Sequence, residues 1–174
     1  ELKKTLNISL DKKVIAILPG SRKSEIKHHA KPISDFVNKY KKKNPDDEII
    51  LALNKKSDLL GGLEKLSKTI RVVYDSSHKI LASCNLAVIA SGTATLEAAI
   101  LAKPMVVIYK SNNLSNFILS NFFLKTEYIS LPNILSNEEV VFELRQNQVT
   151  GEEIYEKVKI TLKNQKNISD KLSS

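Results

Sequence analysis

Short runs of apolar, β-branched residues recur along the chain and alternate with stretches of helical periodicity. Each run spans about five positions and lacks the polar–apolar alternation of a strand with one solvent-facing side. Such runs are typical of strands that are buried on both faces, in a parallel sheet covered by helices on each side. Five strands are predicted, at residues 14–18, 49–53, 70–74, 86–90 and 105–109.

The segments between these strands have apolar residues at helical spacing. The first is the clearest: its apolar residues from Ile26 to Tyr40 share one face, Ser24 offers an N-cap, and Asn44-Pro45 ends it. Other helices are predicted at residues 57–66, 78–82, 93–101, 113–124, 138–146 and 152–164, the last capped by Thr150. Residues 128–133 are predicted to form a final short strand and loop. The pattern predicts a doubly wound, Rossmann-like α/β domain over residues 1–164, and a polar tail over 165–174 that frays.

Composition and the absence of apolar targeting segments indicate the compartment in which this domain is found. The chain begins at Glu1 rather than Met, so we expect it to be a piece of a longer protein. It has neither an apolar run of about 20 residues nor a signal peptide. The single cysteine, Cys84, cannot form an internal disulfide. These features favour a cytoplasmic protein. His28 and His29 are adjacent in a predicted helix, and we expect both at the surface.

The net charge of +8 favours anionic partners. The lysine-rich stretch at residues 39–43 lacks the basic–aromatic alternation of single-strand binders, and no nucleic acid partner is expected. Two interpretations of the charge remain open: the lysine and asparagine content of an AT-rich genome, or attraction to an anionic membrane surface.

A ligand of such a sheet binds beyond the carboxyl ends of the strands, where the strand order reverses. With the common order 3-2-1-4-5-6, that point lies between the first and fourth strands. The turns there are Pro19-Gly20-Ser21-Arg22 and Ser91-Gly92-Thr93. Both turns have unusual sequences, so their composition and their placement point to the same site.

The turn after the fourth strand has the chemistry of a phosphate site. Gly92 permits close backbone approach, and the helix that follows offers free N–H groups. Thr93 and Thr95 add hydroxyl donors, and Glu97, four positions past Thr93, can accept hydrogen bonds from a ribose diol. The alternatives are structural: Ser91 and Thr93 as helix caps, and Glu97 as a first-turn carboxylate favoured by the helix dipole.

The first turn contributes Arg22, whose guanidinium can neutralise a leaving diphosphate. The alternative is a solvated surface arginine beside Lys23 and Lys27. The turn lacks the spacing and the Lys-Ser/Thr pair of a P-loop, and the chain has no GxGxxG fingerprint.

At these residues the chain resembles the C-terminal domain of the lipid-A-disaccharide synthases. Ordered blocks over most of residues 14–146 carry the resemblance: LPGSR at 18–22 with SEI at 24–26, ASGTATLE at 90–97, PMVV at 104–107 with YK at 109–110, and ISLPNIL at 129–135. Residues 142–146 resemble the family's PELLQ segment, from which Phe142 and Arg145 depart.

The resemblance implies one half of a two-domain GT-B glycosyltransferase, the half that holds the UDP part of the donor. It implies that Ser91, Gly92 and Thr93 bind the diphosphate, that Glu97 binds the ribose, and that Arg22 stabilises the departing UDP. Asn133 would hydrogen-bond the donor from the cleft, or else satisfy its own loop. Gln146 and Glu143 are weaker candidates. No cofactor and no metal are implied.

The reaction implied is an inverting, metal-independent displacement. The 6-hydroxyl of 2,3-diacylglucosamine 1-phosphate (lipid X) attacks the anomeric carbon of UDP-2,3-diacylglucosamine, giving a β-1,6-linked disaccharide and UDP. The general base belongs to the N-terminal acceptor-binding domain, which is absent from this chain, so the chain alone is expected to be inactive. Apolar surface left for that domain predicts self-association. The acylated substrates imply peripheral association with the inner leaflet of the inner membrane.

Residues 113–124 form an apolar, phenylalanine-rich segment with two interpretations. It can dip into the membrane surface, or it can pack against the sheet or the absent domain. Two rival functions also stay open. One is another GT-B enzyme, a UDP-N-acetylglucosamine transferase or epimerase; the other is a non-catalytic nucleotide-binding module.

Overall fold

The computed structural model of the chain describes residues 8–9, 11–74, 77–111 and 127–173. Within these residues the strands are β1 (Val14–Leu18), β2 (Glu48–Leu53), β3 (Arg71–Tyr74), β4 (Leu86–Ala90), β5 (Met105–Tyr109) and β6 (Phe142–Arg145). The helices are α1 (Lys23–Lys43), α2 (Leu63–Leu66), α3 (Ser77–Ser83), α4 (Thr93–Ile100), α5 (Leu131–Ser136), α6 (Gly151–Lys163) and α7 (Gln165–Ser173). Short 3-10 turns occur at Lys56–Asp58 and Gln146–Gln148.

The strands form one parallel sheet in the order β3-β2-β1-β4-β5-β6. The predicted order is therefore confirmed, and β1 lies between β2 and β4, with Ile15 beside both Ile49 and Leu86. All the residues of β1 and β4 are buried, as expected when helices cover both faces of a parallel sheet. The reversal in strand order falls between β1 and β4.

Alternate residues of the strands enter two separate hydrophobic cores. One core joins Ile15 and Ile17 to Phe36 of α1, Leu63 of α2 and Ile154 of α6. The second core joins the opposite face of the same strands to α3, α4 and α7, through Ala16, Leu18, Leu81, Ala98 and Ile168. This three-layer packing holds the carboxyl ends of β1 and β4 side by side.

Several predicted elements differ from the structure. The helix predicted at residues 57–66 is shortened to α2, because Gly61 and Gly62 both have positive φ and break it. In the segment predicted at 128–133 as a strand and loop, residues 128–130 are irregular and no strand forms; Leu131 begins α5, which has a proline in its first turn. The helix predicted at 138–146 is instead strand β6, at the edge of the sheet beside β5.

The polar tail predicted at residues 165–174 is also different: it forms helix α7. Ile168 and Leu172 lie four positions apart on one face of α7 and pack against the second core. Two predicted helix features hold: α1 ends at Lys43, just before Asn44-Pro45, and Thr150 caps α6 by accepting a hydrogen bond from the Glu153 N–H. The N-cap of α1 is Arg22 rather than Ser24.

Candidate functional site

A cleft of about 780 Å³ opens where the carboxyl ends of β1 and β4 meet. It lies at the predicted reversal point of the sheet, which is where ligands of doubly wound folds bind. Its walls come mainly from the β1–α1 and β4–α4 turns, with additions after β2 and β5. The polar residues that line it are Ser21, Arg22, Ser24, Glu25, Asn54, Ser77, Ser91, Thr93, Glu97, Tyr109 and Ser111.

The β1–α1 turn is shaped by Gly20 and Glu25. Gly20 has a φ of +120°, and a side chain there would lie 2.7 Å from the carboxylate of Glu25. That carboxylate accepts hydrogen bonds from the N–H groups of Ser21 (3.2 Å) and Arg22 (3.3 Å). It also pairs with the Arg22 guanidinium at 3.4 Å. The Arg22 side chain is 81% exposed at the cleft, so its guanidinium can exchange Glu25 for a bound anion.

The β4–α4 turn presents its backbone at Gly92, and Thr93 beside it, to the cleft. Gly92 and Thr93 are exposed there, and a Cβ atom on Gly92 would meet open space. The Ser91 hydroxyl is directed elsewhere, because it donates a 2.8 Å hydrogen bond to the Ile129 carbonyl. The arrangement can therefore receive an anion on the N-terminal N–H groups of α4.

Glu97 lines the cleft on the next turn of α4. Its side chain is about one-third exposed, and its Oε1 accepts a 2.7 Å hydrogen bond from Nδ1 of His78, on α3. Within the described ranges no partner engages its second oxygen, Oε2. His78 thus fixes one oxygen of the carboxylate and leaves the other available. The carboxylate can still accept hydrogen bonds from a pair of ligand hydroxyls.

Thr95 does not reach the cleft, contrary to the prediction of a ligand-binding hydroxyl. It is fully buried, and its hydroxyl donates to the Gly92 carbonyl at 2.7 Å. The reason is the direction of side chains on α4, which turns Thr95 toward the sheet. Its observed contact stabilises the turn that carries Gly92.

Asn133 is likewise buried rather than exposed in the cleft. Its amide donates to the Val141 carbonyl and to Glu143, at 2.8 and 2.9 Å, and its oxygen accepts from the N–H groups of Val140 and Val141. A side-chain amide has two donor hydrogens and one acceptor oxygen, and all are used within the chain. The structure therefore favours the alternative in which Asn133 satisfies its own loop.

Glu143 is the centre of this loop's hydrogen bonds. Its side chain is only 2% exposed. It accepts from the N–H groups of Ile129 and Ser130, from the Ser130 hydroxyl and from Asn133, at 2.6 to 3.2 Å. Arg145 pairs with it at 2.7 Å. Glu143 thus holds the loop whose Ile129 carbonyl accepts from Ser91, and it does not itself line the cleft.

Gln146 lies at the end of β6, in a left-handed conformation with a φ of +49°. Its oxygen accepts from the N–H of Ser111, a cleft residue, at 3.4 Å. Its Nε2 is buried, and no described residue accepts a hydrogen bond from it. Gln146 is therefore close to the cleft but behind its wall.

His29, which was predicted to lie at the surface, is buried. Its Nδ1 lies 2.7 Å from the Pro19 carbonyl, and its Nε2 accepts from the Lys110 N–H at 3.0 Å. A carbonyl can only accept and an N–H can only donate, so the ring is neutral with its proton on Nδ1. Burial lowers the pKa of His29. The ring ties together two segments that lead into the cleft, before Gly20 and before Ser111.

Cys84 does not contribute to the described site. Burial raises the pKa of the Cys84 thiol to about 11, and the thiol lies away from the cleft.

The apolar helix predicted at residues 113–124 falls outside the described residues. No helix in the described ranges is long and apolar enough to cross a membrane.

The sheet order and the position of the cleft define a doubly wound, Rossmann-like α/β domain. Solved structures share this fold at low sequence identity. ADP-heptose LPS heptosyltransferase II of E. coli matches with a TM-score of 0.64 and 14% identity, over 94% of this chain and 50% of that one. The UDP-GlcNAc 2-epimerase of Neisseria meningitidis, solved with UDP-GlcNAc, matches with a TM-score of 0.65 and 15% identity, over 99% and 44%.

The chain belongs to the lipid-A-disaccharide synthetase family, whose sequence model matches residues 1–174. The lipid-A-disaccharide synthase of Nitrosococcus oceani is 37% identical over 145 residues, which cover 82% of this chain and 37% of the relative. That of Vibrio cholerae is 34% identical over 158 residues, covering 88% and 41%. The chain therefore spans about two-fifths of the length of these relatives. The resemblance found in the sequence is confirmed.

Proposed function

We propose that this chain is the donor-nucleotide half of a lipid-A-disaccharide synthase. The activity proposed for the whole enzyme joins UDP-2,3-diacylglucosamine to 2,3-diacylglucosamine 1-phosphate, releasing UDP. The observation that carries the proposal is the cleft between β1 and β4, in a chain that belongs to this family. One wall has an exposed cation, Arg22, and the other has the N-terminus of α4.

Each group of the UDP moiety has a matching feature in the cleft. The diphosphate would lie between the Arg22 guanidinium and the N–H groups that follow Gly92, where charge-assisted hydrogen bonds are strong. The ribose would lie deeper along α4, with its hydroxyls donating to Glu97. The distance of one helical turn between Thr93 and Glu97 separates the carboxylate from the diphosphate charge.

The proposed chemistry requires groups outside this chain. The acceptor's 6-hydroxyl oxygen forms a bond to the anomeric carbon while the bond from that carbon to UDP breaks with inversion. The proton passes to a general base, which we assign to the acceptor-binding half. UDP leaves with the bonding electrons, and Arg22 and α4 stabilise its added charge without a metal ion. The chain by itself would bind nucleotide without transferring sugar.

The setting proposed for the whole enzyme is the cytoplasmic leaflet of the inner membrane, where it would bind peripherally. Acylated substrates are held in that leaflet, and a net charge of +8 is suited to an anionic surface. We propose that self-association of the chain alone would occur through surface that its partner half covers in the whole enzyme.

The alternatives are less well supported. The 2-epimerases among the structural neighbours share 13–15% identity with the chain, against 32–37% for the synthases. A non-catalytic nucleotide-binding module would share the cleft but has no support from the family match. Preference for an acylated over an N-acetylated UDP-sugar would separate the synthase from the other GT-B enzymes.

The test is calorimetric titration of the 174-residue chain with UDP. Saturable binding is expected, weakened about tenfold in Arg22→Ala, since hydrogen bonds between charged groups contribute about 1.5 kcal/mol or more. Glu97→Ala should also weaken it. Arg71→Ala is the matched control, because Arg71 begins β3, at the end of the strands opposite to the cleft, and pairs with Glu48. Absence of binding, or equal loss in all three variants, would contradict the proposal.

A further inference from the structure

Glu97 has a neighbour whose role the reaction does not explain. His78, on α3, donates from Nδ1 to Glu97 Oε1 at 2.7 Å, although the two residues are 19 positions apart. Glu97 lines the cleft, whereas His78, whose side chain is 68% exposed, is not among the lining residues. We propose that His78 is a positioning residue, which orients the Glu97 carboxylate for a ribose diol and so favours ribonucleotides over 2′-deoxyribonucleotides.

The need for such a residue follows from the flexibility of glutamate. A glutamate side chain has three rotatable bonds, and ordering it when a ligand binds costs conformational entropy. A hydrogen bond to one oxygen removes much of that freedom before the ligand arrives. Glu97 is about one-third exposed, so packing alone does not fix it. The bond from His78 is the contact that selects its orientation.

The carboxylate can hold His78 and a diol together. An ionised carboxylate has two oxygens with about four acceptor positions. His78 takes one position on Oε1, and no described residue takes Oε2. Two ribose hydroxyls can therefore donate to the remaining positions, one to each oxygen. His78 is expected to assist the ligand and not to compete with it.

The geometry also predicts ribose selectivity. A 2′-deoxyribose has one hydroxyl, and it gains nothing from a carboxylate with both oxygens aligned. Orientation by His78 should thus matter for a diol and be nearly without effect for a single hydroxyl. A loss of affinity that is confined to the diol nucleotide would therefore distinguish a positioning role of His78 from a general contribution to the stability of the fold.

The inference rests on the proposed function, because it assumes that the cleft holds the ribose of a nucleotide. The experiment is calorimetric titration of the wild-type chain, His78→Ala and His78→Asn, each with UDP and with 2′-deoxy-UDP. The asparagine amide places a donor close to where Nδ1 lies, without the imidazole ring. Lys79→Ala is the matched control: Lys79 is the next residue on α3 and is exposed.

Wild type is expected to prefer UDP. His78→Ala should weaken UDP binding about three- to fivefold, the range for one hydrogen bond at a partly exposed site, while 2′-deoxy-UDP binding stays unchanged. His78→Asn should restore most of the preference, and Lys79→Ala should match wild type.

Three results would overturn the inference. His78→Ala could bind UDP as wild type does, could lose affinity equally for both nucleotides, or could bind UDP more tightly. Failure of the proposed function is recognised separately, because wild type would then bind neither nucleotide.

Discussion

The Ser91 hydroxyl donates a 2.8 Å hydrogen bond to the carbonyl of Ile129, 38 positions further along the chain. The bond joins the turn after β4 to the loop that precedes α5. It commits the only donor of the Ser91 side chain, so the turn offers its backbone to a ligand. The hydroxyl's contribution is thus to the shape of the cleft.

Ser91→Ala should therefore affect stability more than binding. Loss of one hydrogen bond is expected to lower the free energy of unfolding by about 1 kcal/mol, while UDP affinity changes by less than about threefold. Urea unfolding and calorimetry measure the two effects. Ser67→Ala, which removes an exposed serine hydroxyl away from the cleft, is the control and should change neither quantity. A large loss of affinity with unchanged stability would show that the hydroxyl serves the ligand.

Glu143→Gln should destabilise the chain strongly. The buried carboxylate accepts from several donors around Ile129 and Ser130, and an amide would turn its own N–H₂ toward some of them. A loss of about 2–4 kcal/mol in unfolding free energy is expected. Glu139→Gln, on the exposed loop before β6, is the control and should leave the urea midpoint unchanged. Equal midpoints for the two variants would refute the assignment.

Gly20→Ala should damage the β1–α1 turn. The φ of +120° disfavours any side chain, and the new methyl group would lie 2.7 Å from Oε2 and 2.9 Å from Cβ of Glu25. Stability is expected to fall by about 1–3 kcal/mol. Displacement of Glu25 would also move Arg22, so UDP affinity should fall in the same variant. Retention of wild-type affinity in calorimetry would mean that the turn adjusts without consequence for the site.

His29 should make stability depend on pH. Its pKa in the folded chain is lowered by burial, so the unfolded chain binds a proton more readily. Stability from neutral His29 is complete above about pH 6.5, the ordinary value, and is lost as the pH falls through the folded pKa. Urea unfolding between about pH 5 and pH 8 measures this slope.

His29→Leu should remove that part of the slope. It should also lower stability at pH 8 by about 1–3 kcal/mol, since the Lys110 N–H and the Pro19 carbonyl lose their partner. His28→Gln, one position away and partly exposed, should keep the wild-type slope. An unchanged slope in His29→Leu would assign the pH dependence to another group.

Continuous apolar runs predict the strands that are buried on both faces, since such burial demands apolar residues at every position. The sequence of β6, FELR, follows acidic residues and mixes polar with apolar positions, as an edge strand can, so its pattern does not predict a strand. Helix α7 is mostly polar, and the pair Ile168 and Leu172 is too short a pattern to predict it. The proline in the first turn of α5 is compatible with an extended segment, but it is also common at helix starts.

Within the site, the sequence predicts the cleft and its walls, but it does not predict the directions of the side chains. Arg22, Gly92 and Glu97 line the cleft as predicted, while Thr95 and Asn133 are buried and satisfied by local backbone. Hydrogen-bond partners of that kind are absent from any sequence pattern. The burial of His29 was detectable, because it lies on the same helical face as Ile26 and Ile33, three and four positions away.

The central position of β1 has a consequence for how the chain acquires its cleft. β1 is made first among the strands, yet one wall of the cleft comes from β4, and the Val14 N–H binds the Asn85 side chain 71 positions away. Closing so long a loop is slow compared with forming helices. A growing polypeptide would therefore have no nucleotide pocket until β4 had emerged and paired with β1. Nucleotide binding by the growing chain would thus indicate that the sheet is assembled as far as β4.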